Sequence, residues 1–181
     1  HTRADASVRG LALAQLLLER GRRRLGIIGE IGGSNPYFTY EYAERTDHAL
    51  NVFGQTGLEL RDNRVIRLPE NTPVDAALET VFRRDGDLPD ALWCSNDLLA
   101  AKVYRWLAGR GISVPGQVAL IGTDDIGNVE NLDIALTSIK VPMYAIGRAA
   151  IDLGLEYYFH GHTVDNHRRE LPATLVLRQS T

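Results

Sequence analysis

The chain has one cysteine, no long apolar run and no excess of positive charge, and each shortage removes a class of protein. A lone thiol, Cys94, cannot form a disulfide within the chain or supply the cysteine pair of a zinc site, and among apolar neighbours it reads as an inert core residue. No stretch approaches the ~18 consecutive apolar residues that cross a bilayer as a helix. The net charge of -3 argues against a broad nucleic-acid surface. The only basic cluster, Arg20-Gly21-Arg22-Arg23-Arg24, is short and reads as a solvated turn complementing a helix dipole. Also missing are a P-loop, a nucleophile–base pair and a dinucleotide fingerprint, because Gly29-Glu30-Ile31-Gly32-Gly33-Ser34 does not complete G-x-G-x-x-G. His160, His162 and His167 have no cysteine or carboxylate at the spacing zinc requires. No catalytic residue, cofactor or metal is therefore expected. The chain opens at His1 with neither methionine nor a basic-then-apolar leader, which sets the expectation of a piece from something longer.

What is present is α/β patterning. At 181 residues and 44% hydrophobic content, the chain can build one full core or two small lobes. The pattern centres on residues 91–125. There an apolar run over 91–94 stops at Ser95-Asn96-Asp97, three residues suited to capping a helix start. Leu99, Val103, Trp106 and Leu107 follow at the helical period, glycines 109 and 111 bracket the end, and a second apolar run over 118–121 leads into Gly122-Thr123-Asp124-Asp125. Strand, helix and strand within about 35 residues make a βαβ unit, which demands a parallel sheet and a right-handed crossover.

The same reading predicts a helix over 5–20 with its apolar stripe at Val8, Leu11, Ala12, Gln15 and Leu16, a strand over 25–28, and a loop over 29–36. Further on it predicts a helix through Thr46, Ala49 and Phe53, a strand over 65–68, a helix over 74–84 and a turn over 85–89. Beyond the central unit come a strand over 137–141, a helix after Pro142 with the face Met143, Ile146, Ala150, Leu153 and Tyr157, and a last strand over 173–177. The order is that of a doubly wound parallel sheet, whose ligands sit at the carboxyl ends of the strands.

Two polar clusters fall at such ends. Asp124 and Asp125 are adjacent, so they point apart and are poorly placed to share a proton or ion; one is expected to accept from ligand hydroxyls while the other ties down its loop. Asn96 offers a donor and an acceptor to a hydroxyl, with a purely capping role as the alternative. Arg45, expected to begin its helix just after the Gly-rich loop, could aim its planar fork at the same crevice or be a solvated helix residue.

The stretch from Ala91 to Ile126, then Leu136-Thr137-Ser138-Ile139, Pro142 with Gly147-Arg148-Ala149, and Leu171-Pro172 with Leu175-Val176-Leu177-Arg178-Gln179-Ser180-Thr181, resembles the effector domain of the lactose-repressor/galactose-repressor family of bacterial regulators. The resemblance runs end to end. It implies a periplasmic-binding-protein-like type I fold with a complete C-terminal lobe (33–141 and 167–181) and a partial N-terminal lobe (1–32 and 142–166). It also implies a DNA-binding helix-turn-helix absent from this chain. The chain would cross between lobes near residues 29–36, near 141–142 and near 165–171. Ligand contacts would fall on Arg45, Asn96 and Asp124. The implied partners are a small polar effector, in all expectation a carbohydrate, operator DNA through the missing helix-turn-helix, and a second copy of the protein; the location is cytoplasmic and no membrane is involved. The family often has a glycine and an aromatic soon after the arginine, where His48 and Ala49 stand here, and an aromatic stacking residue that 68–74 lacks. A periplasmic sugar-binding protein of a transport system is the alternative of the same fold.

Overall fold

A computed structural model of the chain describes residues 2–5, 7–31, 36–69, 72–83, 88–127, 129, 132–160 and 169–181. Six of the strands form one sheet. Its strands are β2 (Arg24–Ile31), β3 (Glu59–Pro69), β4 (Ala91–Cys94), β5 (Ala119–Thr123), β6 (Thr137–Lys140) and β8 (Thr174–Val176), in the order β3-β2-β4-β5-β6-β8. All pairs are parallel except β6 with β8.

Side chains of the central strands alternate between two cores, as the period of two requires. Leu92, Cys94 and Leu120 face one layer with α3 (Val74–Val81) and α4 (Asp97–Gly109). Ala91, Trp93, Ala119 and Ile121 face the other, with α1 (Ser7–Glu19) and α2 (Pro36–Gly54). Helices on both faces of a mainly parallel sheet make the fold doubly wound, as expected. A separate two-stranded parallel sheet pairs β1 (Thr2–Asp5) with β7 (Arg169–Pro172), and α5 (Met143–His160) packs against both strands.

The structure moves one boundary. Residues 24–31, expected in the N-terminal lobe, lie inside the six-stranded sheet between the edge strand β3 and β4, with Ile27 beside Val65 on one side and Trp93 on the other. Leu25, Ile27 and Ile28 are all fully buried, so this strand needs neighbours and helices on every side. The strand also runs on to Ile31, through part of the expected loop. The change between sheets falls instead between β1 and α1.

Two helix faces also differ. On α1 Leu13, Ala14 and Leu17 are buried, while Leu11 and Ala12 are exposed. Its sequence, Leu-Ala-Leu-Ala-Gln-Leu-Leu-Leu, is apolar on nearly every face, so spacing alone does not choose one. On α5 only Ala149 among the described residues is buried, and Met143, Ala150 and Tyr157 of the expected face are exposed. The turn over 85–87, and His162 with His167, lie outside the described residues.

The arginine cluster is a turn with Arg20 and Arg23 exposed, as expected, and Arg23 donates to the Leu18 carbonyl (2.7 Å) at the end of α1, but Arg22 is not simply solvated. Arg22 reaches across to the loop before β5, where its guanidinium donates to the carbonyls of Pro115, Gly116 (3.1 Å) and Gln117 (3.0 Å). The Asp90 carboxylate accepts from the amides of Arg23 (3.0 Å) and Arg24 (2.8 Å). Arg22→Ala should lower the melting temperature by roughly 2–8 °C, about 1–2 kcal/mol after allowing for solvent screening of this half-exposed side chain. Lysine at the same position, a point donor without a fork, should recover only part of the loss in a thermal melt.

Candidate functional site

At the carboxyl ends of β2, β4 and β5 the chain gathers a set of polar residues, and one close approach brings Arg45 there. A side chain on Gly29 would stand 2.0 Å from the Thr46 hydroxyl oxygen, so only glycine lets α2 settle onto β2 with Thr46 fully buried. Arg45, the preceding residue, is then delivered to the strand ends from the middle of α2, not from the helix start that the sequence suggested. Its guanidinium donates to the carbonyl of Ser95 (3.2 Å) and to the carboxylate of Asp124 (2.8 Å). Both side chains of this ion pair are about one-fifth exposed. The sequence thus placed Arg45 and Asp124 at one crevice, and the structure brings them together.

Asn96 lies at the same strand end, but its amide is engaged. Its oxygen accepts from the backbone N–H of Leu99 (2.7 Å), capping α4, and its nitrogen donates to Glu30 (2.8 Å). The residue is 6% exposed. The capping alternative describes its side chain, while its neighbour's carbonyl supplies the contact with Arg45.

Asp124 and Asp125 form a left-handed turn, with φ of 100° and 55°. Aspartate tolerates this region better than most residues, yet two in succession cost about 1 kcal/mol or more each and must be held. They are held from three sides. The Asp124 amide donates to the carbonyl of Ile139 (2.9 Å), the Asp125 amide to Ser138 Oγ (3.1 Å) and the Ile126 amide to Asp97 Oδ2 (2.9 Å). The Asp125 carboxylate accepts from Arg178 (2.5 Å) and lies 3.3 Å from Lys140 Nζ. Burial pushes the Asp125 carboxyl up, but these two cations outweigh it and leave it below the usual carboxylate range. Asp125 therefore ties down the loop, and Asp124 faces Arg45.

The parts played by Asp97 and Glu30 were not legible in the sequence, whereas Cys94 is the core residue that was expected. Asp97, at the first turn of α4, is buried and accepts from Ser138 Oγ (2.7 Å) besides the Ile126 amide. Burial pushes its carboxyl up against those two hydrogen bonds, to about 6. Glu30, assigned from sequence to a loop, is the penultimate residue of β2, with its carboxylate on Asn96 and 4.0 Å from Lys102 Nζ. Cys94 is fully buried, and burial raises its thiol well above the ordinary value, with Asp97 and Glu30 adding to the effect. It is a core residue, not a nucleophile. Among the described residues no group of three His, Cys, Asp or Glu side chains could hold a metal ion.

A paired guanidinium and carboxylate at the strand ends suits a neutral ligand rich in hydroxyls, each of which donates and accepts. Known proteins with this sequence pattern agree in kind. The profile of the periplasmic binding protein-like domain matches residues 14–181. Catabolite control protein A of Priestia megaterium is 31% identical over 146 residues, 76% of this chain and 43% of that protein. The chain thus spans about half the length of the curated relatives it matches. Among solved structures, the transcriptional regulator CelR in complex with cellobiose is 26% identical with a TM-score of 0.77, covering 99% of this chain and 53% of that one. A LacI family transcriptional regulator from Arthrobacter sp. FB24, in complex with lactose, is 25% identical with a TM-score of 0.70, covering 99% and 64%.

Proposed function

Because this chain belongs to the periplasmic binding protein-like domain family, in the form carried by lactose-repressor/galactose-repressor regulators, we propose that it is the effector-sensing part of a bacterial transcription regulator. The effector is a small polyhydroxyl molecule of the carbohydrate class. The observation that carries this reading is the Arg45–Asp124 pair, 2.8 Å apart at the carboxyl ends of the parallel strands. Relatives named as regulators favour this role over that of a transport protein. In the whole protein, operator DNA would be bound by a helix-turn-helix elsewhere in the chain, two copies would associate, and the site of action would be the cytoplasm. The β1/β7 sheet and α5 would belong to one lobe, the six-stranded sheet to the other, and the ligand would lie between them.

The test is titration calorimetry against a panel of mono- and disaccharides. Asp124→Ala should weaken binding of whichever sugar the wild type takes by roughly 10- to 100-fold, since hydrogen bonds to a charged group contribute about 1.5–3 kcal/mol. Arg45→Ala should do the same, and neither should move the thermal midpoint by more than a few degrees, because both lie at the sheet's rim. Asn96 would act through the turn it caps, so Asn96→Ala should lower stability as well as affinity. Equal affinity in the wild type and Asp124→Ala would defeat the assignment of the crevice.

A further inference from the structure

We propose that Asp97 is the positioning residue of the crevice, holding Ser138 and the Ile126 amide so that the left-handed turn delivers Asp124 to Arg45. The proposal deepens the ligand-binding reading above and rests on it. Its basis is connectivity. Asp97 is 1% exposed, and its two carboxylate oxygens have separate duties: Oδ1 accepts from Ser138 Oγ at 2.7 Å, and Oδ2 from the Ile126 amide at 2.9 Å. Ser138 Oγ in turn accepts the Asp125 amide at 3.1 Å. Both amides that follow Asp124 are thereby tethered to one carboxylate, one directly and one through a hydroxyl. The carboxylate itself cannot drift, because it stands on the first turn of α4, capped by Asn96, with the bare Cα of Gly122 against it.

A tether of this kind depends on charge. As an anion Asp97 accepts fully at both oxygens; protonated, one oxygen becomes a hydroxyl and its partner loses most of an acceptor. The groups facing it are Cys94 from β4, Asp124 and Asp125 from the turn after β5, Ser138 from β6, and Arg178, which lines the small cavity alongside. Arg45 lies on Asp124, and Lys140 with Arg178 on Asp125, so none of these three cations pairs with Asp97. Burial raises the Asp97 carboxyl to about 6, and the tether should slacken as the pH falls through that value. Global stability responds in the opposite sense. A carboxyl raised in the folded state binds more protons there than in the unfolded chain between about pH 4 and 6, so its contribution to stability rises as the pH falls through that window.

The experiment needs no ligand. Carboxyl carbon and arginine side-chain nitrogen resonances are followed by NMR between about pH 4 and pH 8, beside thermal melts over the same range. Asp97 should titrate near 6, and the Arg45 and Asp124 signals should carry the same inflection. In Asp97→Asn that inflection should vanish from Arg45 and Asp124, while the melting midpoint loses the part of its pH dependence that Asp97 supplied. If Asp97→Asn fails to fold, Ser138→Ala carries the test. That variant leaves Asp97 titrating but should remove most of the response at Arg45 and shift the Asp124 signal at pH 8. An Asp97 that titrates without moving Arg45 overturns the proposal, as does a pair of variants whose Arg45 and Asp124 signals match the wild type. Failure of the ligand reading would appear only in the calorimetry, so the two outcomes are distinguishable.

Discussion

Gly122→Ala should cost the fold roughly 3 kcal/mol or more and lower the melting temperature by about 6–12 °C, although only a methyl group is added. The site has no room for it. A Cβ on Gly122 would lie 2.0 Å from Asp97 Oδ1 and 2.9 Å from a Leu136 methyl, both on buried side chains. Overpacking alone costs about 1–3 kcal/mol, and displacing the carboxylate also strips the buried Ser138 hydroxyl and the Ile126 amide of their acceptor. Backbone preference is not the cause, since Gly122 is not among the positive-φ residues. The prediction is therefore specific to the clash: Asp97→Ser in the same chain should restore part of the lost stability, and a double-mutant cycle of denaturant melts should show favourable coupling. Additive losses would mean that the crowding at Asp97 is not what glycine relieves.

Hydrogen exchange should be at least about 100-fold faster across α5 than across α4, a gap of roughly 3 kcal/mol in opening free energy. The two helices differ in burial. In α4, Leu99, Ala100, Val103 and Leu107 are fully buried between sheet and α3, so their amides should exchange only when the whole sheet unfolds. Among the described residues of α5 only Ala149 is buried, while Tyr144, Tyr158 and Phe159 are 85%, 80% and 70% exposed. Its partners are the two short strands β1 and β7. So large an apolar surface on one helix asks for cover. In a longer chain that adds strands to the β1/β7 sheet, the same amides should slow and the thermal midpoint should rise. Protection of α5 equal to that of α4 in this chain would refute the assignment of separate stabilities.

Elements whose signals are local could be read directly from the residues. The strand over 91–94, the Asn96 cap, the apolar face of α4 and the strand into Asp124-Asp125 stand where spacing and capping chemistry put them, because each depends on neighbours within four residues. Arg45 and Asp124 at one crevice followed from the resemblance together with the rule that doubly wound sheets bind at their strand ends. Tertiary structure decided the rest. It placed β2 between β3 and β4, a choice that turns on partners tens of residues away and that a fully apolar strand leaves open. On α1 it selected Leu13 and Leu17 for burial, since a helix apolar all round has no preferred face until something packs on it. Arg22 found three carbonyls more than 90 residues along the chain, and Asp97 found Ser138 41 residues away. Contacts at such separations leave no periodicity in a sequence, because they exist only once the sheet has aligned its strand ends.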